Sequence, residues 1–144
     1  TDFDDLAEGD SREVTFTYTA TDNNDGVSAP ATVTLTVTGT NDAPVATDST
    51  GSTSENAVFN GKLPPASDVD GTIASYQLAS GTGVGNGSVT VNAGGGYTFN
   101  PGTDFDDLAE GDSREVTFTY TATDNNDGVS APATVTLTVT GTND

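Results

Sequence analysis

The side chains able to do chemistry in this chain are nearly all carboxylates. It has 22 Asp and Glu residues against three Lys and Arg, with no His and no Cys. The acids gather in groups: Asp2, Asp4, Asp5, Glu8 and Asp10; Asp22 and Asp25; Asp42 beside Asn41; Glu55; Asp68 and Asp70. The first three groups recur as Asp104–Asp112, as Asp124 and Asp127, and as Asn143 and Asp144. Carboxylates packed together repel, and a compact fold is destabilised by that repulsion unless a cation offsets it. A donor set made only of oxygen suits a hard cation. Calcium, which takes six to eight oxygens, fits better than magnesium, which holds its waters in a tight octahedron. The same acids are otherwise solvated loop residues that keep the chain soluble.

The composition excludes much else. A net charge of −19 removes any ordinary grip on nucleic acid, where Lys and Arg must neutralise phosphates. Without Cys or His there are no disulfides, thiolate nucleophiles, imidazole bases or usual zinc sites. No apolar run approaches bilayer-spanning length, and no signal-peptide pattern opens the chain. Asp22-Asn23-Asn24-Asp25-Gly26 departs from an EF-hand loop: its glycine comes one position early and no glutamate closes it. Gly94-Gly95-Gly96-Tyr97 lacks the aspartate of a calcium-binding nonapeptide and reads as a turn. Paired carboxylates could serve a glycosidase, but there is no Trp to line a sugar cleft. No catalytic residue and no small-molecule substrate are expected.

The elements that must position the acids are strands. Residues 1–42 and 103–144 are identical letter for letter, a period of 102. The expected organisation is the last part of one repeat over 1–42, then one complete repeat over 43–144. Val14–Thr21 and Ala31–Thr38 alternate apolar residues with threonine, the pattern of half-buried antiparallel strands, and both recur at 116–123 and 133–140. Pro44–Asp48, Ala57–Leu63, Ile73–Ala79, Ser88–Asn92 and Tyr97–Asn100 are the further candidates, and Asp104–Glu115 has room for one helical turn. Seven short strands per repeat predict an all-β, antiparallel Greek-key sandwich of immunoglobulin type. The strand pair in 1–42 would lack its opposing sheet. It is expected either to be covered by a neighbouring molecule or to have been cut from a longer array. Folding back onto 43–102 is not expected, because the short linker would have to span the length of the domain.

In order, the repeat resembles a cadherin-type repeat over nearly its whole length. The matching segments are Ser54-Glu55-Asn56, then Ala66-Ser67-Asp68-Val69-Asp70-Gly71 before Tyr76-Gln77-Leu78, then Asp104-Phe105-Asp106, Ala122-Thr123-Asp124 and the linker Thr38–Pro44. Exact repetition, acidity and threonine-rich strands make it similar to the extender repeats of giant RTX adhesins of bacteria, exported by type I secretion. The resemblance implies a secreted stalk at the bacterial cell surface, whose partners are neighbouring identical repeats and whose cofactor is Ca²⁺. It implies that one junction takes Asp2, Asp4, Asn41 and Asp42 from the first copy with Asp68, Asp70 and Asp124 from the second, Asp127 lying beside the last. Glu55, Asp104, Asp106, Asn143 and Asp144 would serve the following junction. The linker carries Thr38 and Thr40 where cadherins place an acid and an amide, and the long segment after Asp106 offers Asp107, Glu110 or Asp112 as a replacement ligand. A ligand-binding module of the same kind of protein, or an accessory domain of a secreted enzyme, are the other readings.

Overall fold

The computed structural model describes residues 2–144. Its strands are β1 Ser11–Tyr18, β2 Ala31–Thr38, β3 Ser49–Ser54, β4 Phe59–Lys62, β5 Ile73–Ser80, β6 Ser88–Val91, β7 Gly96–Asn100, β8 Ser113–Asp124 and β9 Ala133–Thr140. No helix occurs among the described residues. Strands β3–β9 form the predicted sandwich: a four-stranded sheet in the order β3-β9-β8-β5 and a three-stranded sheet in the order β4-β7-β6. The chain changes sheet between β3 and β4, β4 and β5, β5 and β6, and β7 and β8, the interleaving of a Greek-key sandwich.

The alternating segments behave as their pattern requires. Phe118, Tyr120, Val135, Leu137 and Val139 turn inward from β8 and β9 and are at most 1% exposed. They meet Leu63, Tyr97 and Phe99 from the facing side. Tyr97 stands edge-on to Phe118 with ring centroids 5.1 Å apart, and Phe99 likewise to Phe105 at 6.1 Å.

Three expectations are corrected. Pro44–Asp48 is not a strand; only Val45 makes an isolated bridge, to Ser67. The strand is the next segment, β3, whose sequence STGSTS has no apolar alternation. It forms because it lies along β9, and the pairing is parallel, from Ser49↔Val135 to Ser54↔Thr140, so the sandwich is not wholly antiparallel. Gly51 leaves room for the core there, since a Cβ would stand 2.9 Å from Leu137 Cδ2 and that buried side chain would have to shift. Asp104–Glu115 holds successive turns, such as Asp104 N to Pro101 O at 3.3 Å, and then enters β8.

The two identical segments fold into the same hairpin in different surroundings. β1 pairs β2 from Ser11↔Thr38 to Tyr18↔Ala31, and β8 pairs β9 from Ser113↔Thr140 to Tyr120↔Ala133, the same register shifted by the repeat. β8 runs on to Asp124 because β5 pairs along it; β1 stops at Tyr18. Covering of the first hairpin is not met within the chain. Phe16, Tyr18 and Leu35 are about half exposed (52%, 54% and 50%), because residues 43–102 close over the second hairpin instead.

Candidate metal centre

Asp124 ends β8 and organises the turn that follows. Its Oδ1 accepts from Asn126 N at 2.8 Å and Gly128 N at 2.7 Å, while its own N–H donates to Gly128 O at 2.9 Å. The turn needs a left-handed residue, and Asp127 supplies it at φ 67°, a region that Asp tolerates better than most. Gly128 is also constrained: a Cβ there would lie 2.5 Å from Asp124 Oδ2 and 2.6 Å from Asn41 Nδ2. That second contact marks the arrival of the linker. Asn41 Nδ2 donates to Asp124 Oδ2 at 2.9 Å, and Asn126 Nδ2 donates to Asn41 Oδ1 at 3.2 Å. The Asn41 hydrogen bond, helped by those from Gly128 and Asn126 against the cost of burial, holds the Asp124 carboxyl below the usual range.

The loop before β5 brings the second acidic group to the same place. Asn125 ties the loops together, its N–H donating to Thr72 O and its Oδ1 accepting from Thr72 N, both at 3.0 Å. Asp70 N donates to Asp68 Oδ1 at 3.3 Å, and Asp70 Oδ2 accepts from Asp42 N at 3.0 Å. Two oxygens are then left over: Asp68 Oδ2 and Asp70 Oδ1 are buried and without a hydrogen-bond partner. Burial, then the close Asp70 carboxylate and the charge of Asp124, push the Asp68 carboxyl up.

A third such oxygen sits at the next linker. Glu55 is fully buried; its Oε1 accepts from Thr142 N at 2.6 Å and Thr142 Oγ1 at 3.0 Å, and its Oε2 has no partner. Asn56 Nδ2 reaches Thr142 Oγ1 at 2.7 Å and Asp144 Oδ1 at 3.4 Å. Asn143 and Asp144 are exposed.

A buried carboxylate oxygen without a donor costs on the order of 1–3 kcal/mol, more when charged, and a hard cation removes that cost. The residues therefore fit calcium in chemistry: Asp68 and Asp70, with Asn41, Asp42 and Asp124 around them, and Glu55 with Asp144 at the following linker. Among the described residues, no three acidic side chains are already gathered as a metal site.

Other expected ligands are placed otherwise. Asp2 and Asp4 lie in the exposed turn before β1, where the Asp2 carbonyl accepts from Arg12 Nη1 at 2.9 Å. Asp104 Oδ2 accepts from Gly87 N at 2.8 Å, and Asp106 and Asp127 are exposed. Asp107, offered as a replacement ligand, is taken by Arg114 at 2.9 Å. Asn125 and Asn126, which lock the two loops and the linker, were not singled out from the sequence; their amides flanked by acids in one turn were the available signal.

The sequence profile of the bacterial cadherin-like domain matches residues 41–141. The chain belongs to that family. Its cadherin-like fold has a solved counterpart in a Drosophila N-cadherin fragment comprising EC1-4, with TM-score 0.52 and 17% identity, covering 96% of this chain and 35% of that one. An endo-fucoidan hydrolase of glycoside hydrolase family 107 gives TM-score 0.49 at 16% identity, over 96% of this chain and 19% of the other. A Photobacterium 2,6-sialyltransferase gives 0.38 at 16%, over 67% and 18%. The cadherin-like chain thus spans about a third of the N-cadherin fragment and under a fifth of each enzyme. No curated protein sequence matches it.

Proposed function

We propose that this cadherin-like chain is a calcium-rigidified extender unit of a repetitive bacterial surface adhesin of the RTX kind, holding an adhesive domain away from the cell. The observation that carries the reading is the meeting of the Asn41–Asp42 linker with Asp70 and Asp124, beside two buried carboxylate oxygens that lack donors. The ion would add positive charge where Asp68 and Asp70 repel, and tie residues before Pro44 to residues after it. Asp2 and Asp4 would join from the first copy. Glu55, Asp104, Asp106, Asn143 and Asp144 would serve the next repeat, and Asp127 would stay at the rim. The role is non-catalytic, the partners are further copies of the same repeat, and the place is outside the cell. Family membership supports an extracellular adhesion-type structural domain, and the identical segments suit a stalk that gains length from each copy.

Calorimetric titration with CaCl2, paired with thermal melts, tests it. Ligand at about 100 times its Kd stabilises by ~2.7 kcal/mol, so saturating Ca²⁺ is expected to raise the melting temperature by more than about 10 °C over a chelated sample, with Mg²⁺ much weaker. Equal melting in calcium and EDTA would overturn the reading.

A further inference from the structure

We infer that residues 43–102 have two interchangeable closing partners in this chain: the hairpin 103–144 they now cover, and the identical hairpin 1–42. The first hairpin presents the same apolar face in the same register, with Phe16 and Leu35 half exposed where Phe118 and Leu137 are buried. Every contact that 43–102 makes with Phe118, Leu137 and their neighbours therefore has a chemically identical counterpart one repeat earlier. Nothing else in the chain has a surface shaped by that sequence.

The linker permits the exchange. In the parallel register Ser49 lies beside Val135 and Ser54 beside Thr140, so in the alternative arrangement Ser49 lies beside Val33 and Ser54 beside Thr38. The chain must return from Thr38 to Ser49 along the Ser49–Ser54 stretch, about 17 Å at ~3.3 Å per residue. Residues 39–48, extended, reach roughly 33 Å. The linker's reach therefore exceeds the span it would have to cover. At the other boundary Gly102, at φ 61°, precedes the segment that would be released.

What selects the observed arrangement is the linker itself. Asn41 reaches Asp124 of the second hairpin, and Asp42 to Asp70 and Val45 to Ser67 hold it on that course, which residues 39–48 must leave in order to run back from Thr38 to Ser49. The first hairpin is then a held reserve, which closes the sandwich when the second is disabled.

Single and double aspartate variants of the full chain test this. Leu35→Asp should leave the main thermal transition where it is. Leu137→Asp should lower it but keep a cooperative β-sheet transition in a monomer, because residues 43–102 move to 1–42. Leu35→Asp with Leu137→Asp should show no cooperative transition. A second measurement uses the absence of native cysteine: Thr36→Cys with Ser52→Cys in the Leu137→Asp chain places two thiols on directly paired residues of the alternative arrangement, and oxidation should give an intramolecular disulfide by mass. If Leu137→Asp melts like the double variant, closes by dimerisation, or fails to form that disulfide, the exchange does not occur.

Discussion

Asn41 donates from Nδ2 to Oδ2 of Asp124 across 2.9 Å and 83 residues of sequence. Asp22, the same residue one repeat earlier, accepts the same two turn N–H groups, from Asn24 and Gly26 at 2.8 Å each, on its Oδ1. One chain therefore holds the same turn twice, with a docked linker amide at Asp124 and, among the described residues, with the backbone donors of its own turn at Asp22.

Asn41→Ala should move the Asp124 carboxyl back up. The group is held low chiefly by the Asn41 amide. A depressed acid contributes stability that is present above its unfolded value, ~3.9, and is lost as pH falls through its folded value. The variant should lose stability at higher pH on acid titration than the parent. Carboxyl carbon shifts of Asp124 would follow the change, while those of Asp22, lowered by Gly26 and Asn24 alone, should not move.

Asp68→Asn should change sign with calcium. The Asp68 carboxyl is pushed up by burial and by Asp70, so the folded chain is penalised as pH rises from ~3.9 through the raised value, and no penalty exists below. An amide removes one charge and offers a donor to the unpartnered Asp70 Oδ1. In EDTA at neutral pH the variant should melt higher than the parent; in saturating Ca²⁺ it should melt lower, having lost a ligand oxygen's charge. The same sign in both buffers would remove Asp68 from the cation site.

Tyr120→Phe and Tyr18→Phe form a matched pair. The Tyr120 hydroxyl donates to Thr47 O and accepts from Thr47 N at 3.3 Å, while Tyr18, identical in local sequence, is 54% exposed. Losing the first pair of bonds should cost about 1 kcal/mol, lowering the melting temperature by ~4–8 °C. The second change should fall within about 0.5 kcal/mol of neutral. Differential scanning of both variants reads the difference.

Much of this was legible in the residues. The alternation in 116–123 and 133–140 gave the two inner strands and their buried faces, because a period of two leaves one choice of side. β3 was not legible. Its serines, threonines and glycine carry no apolar pattern, and it is a strand only because the edge of β9 offers unpaired backbone groups in parallel. Of the site, Asp68, Asp70 and Asp124 could be read from their motifs, whereas the linker's docking could not. It depends on the Asn125 and Asn126 amides, whose partners lie far away in sequence and follow only from the loops being adjacent. Asp107 has a local partner that its motif did not show: Arg114 pairs with it while stacking over the Phe105 ring at 5.1 Å.

The parallel pairing of β3 with β9 bears on how a tether would fail. The chain enters the sandwich at the Ser49 end of one strand and leaves at the Thr140 end of the other, and in a parallel pair those are opposite ends of the ladder. Tension applied through the two linkers therefore runs along the strands, so that all six rungs from Ser49↔Val135 to Ser54↔Thr140 are loaded together in shear. An antiparallel pair at the same place would present its rungs one at a time, like a zipper. The strand with the least hydrophobic sequence is thus the one that the pull meets first, and it resists by hydrogen bonds acting in concert.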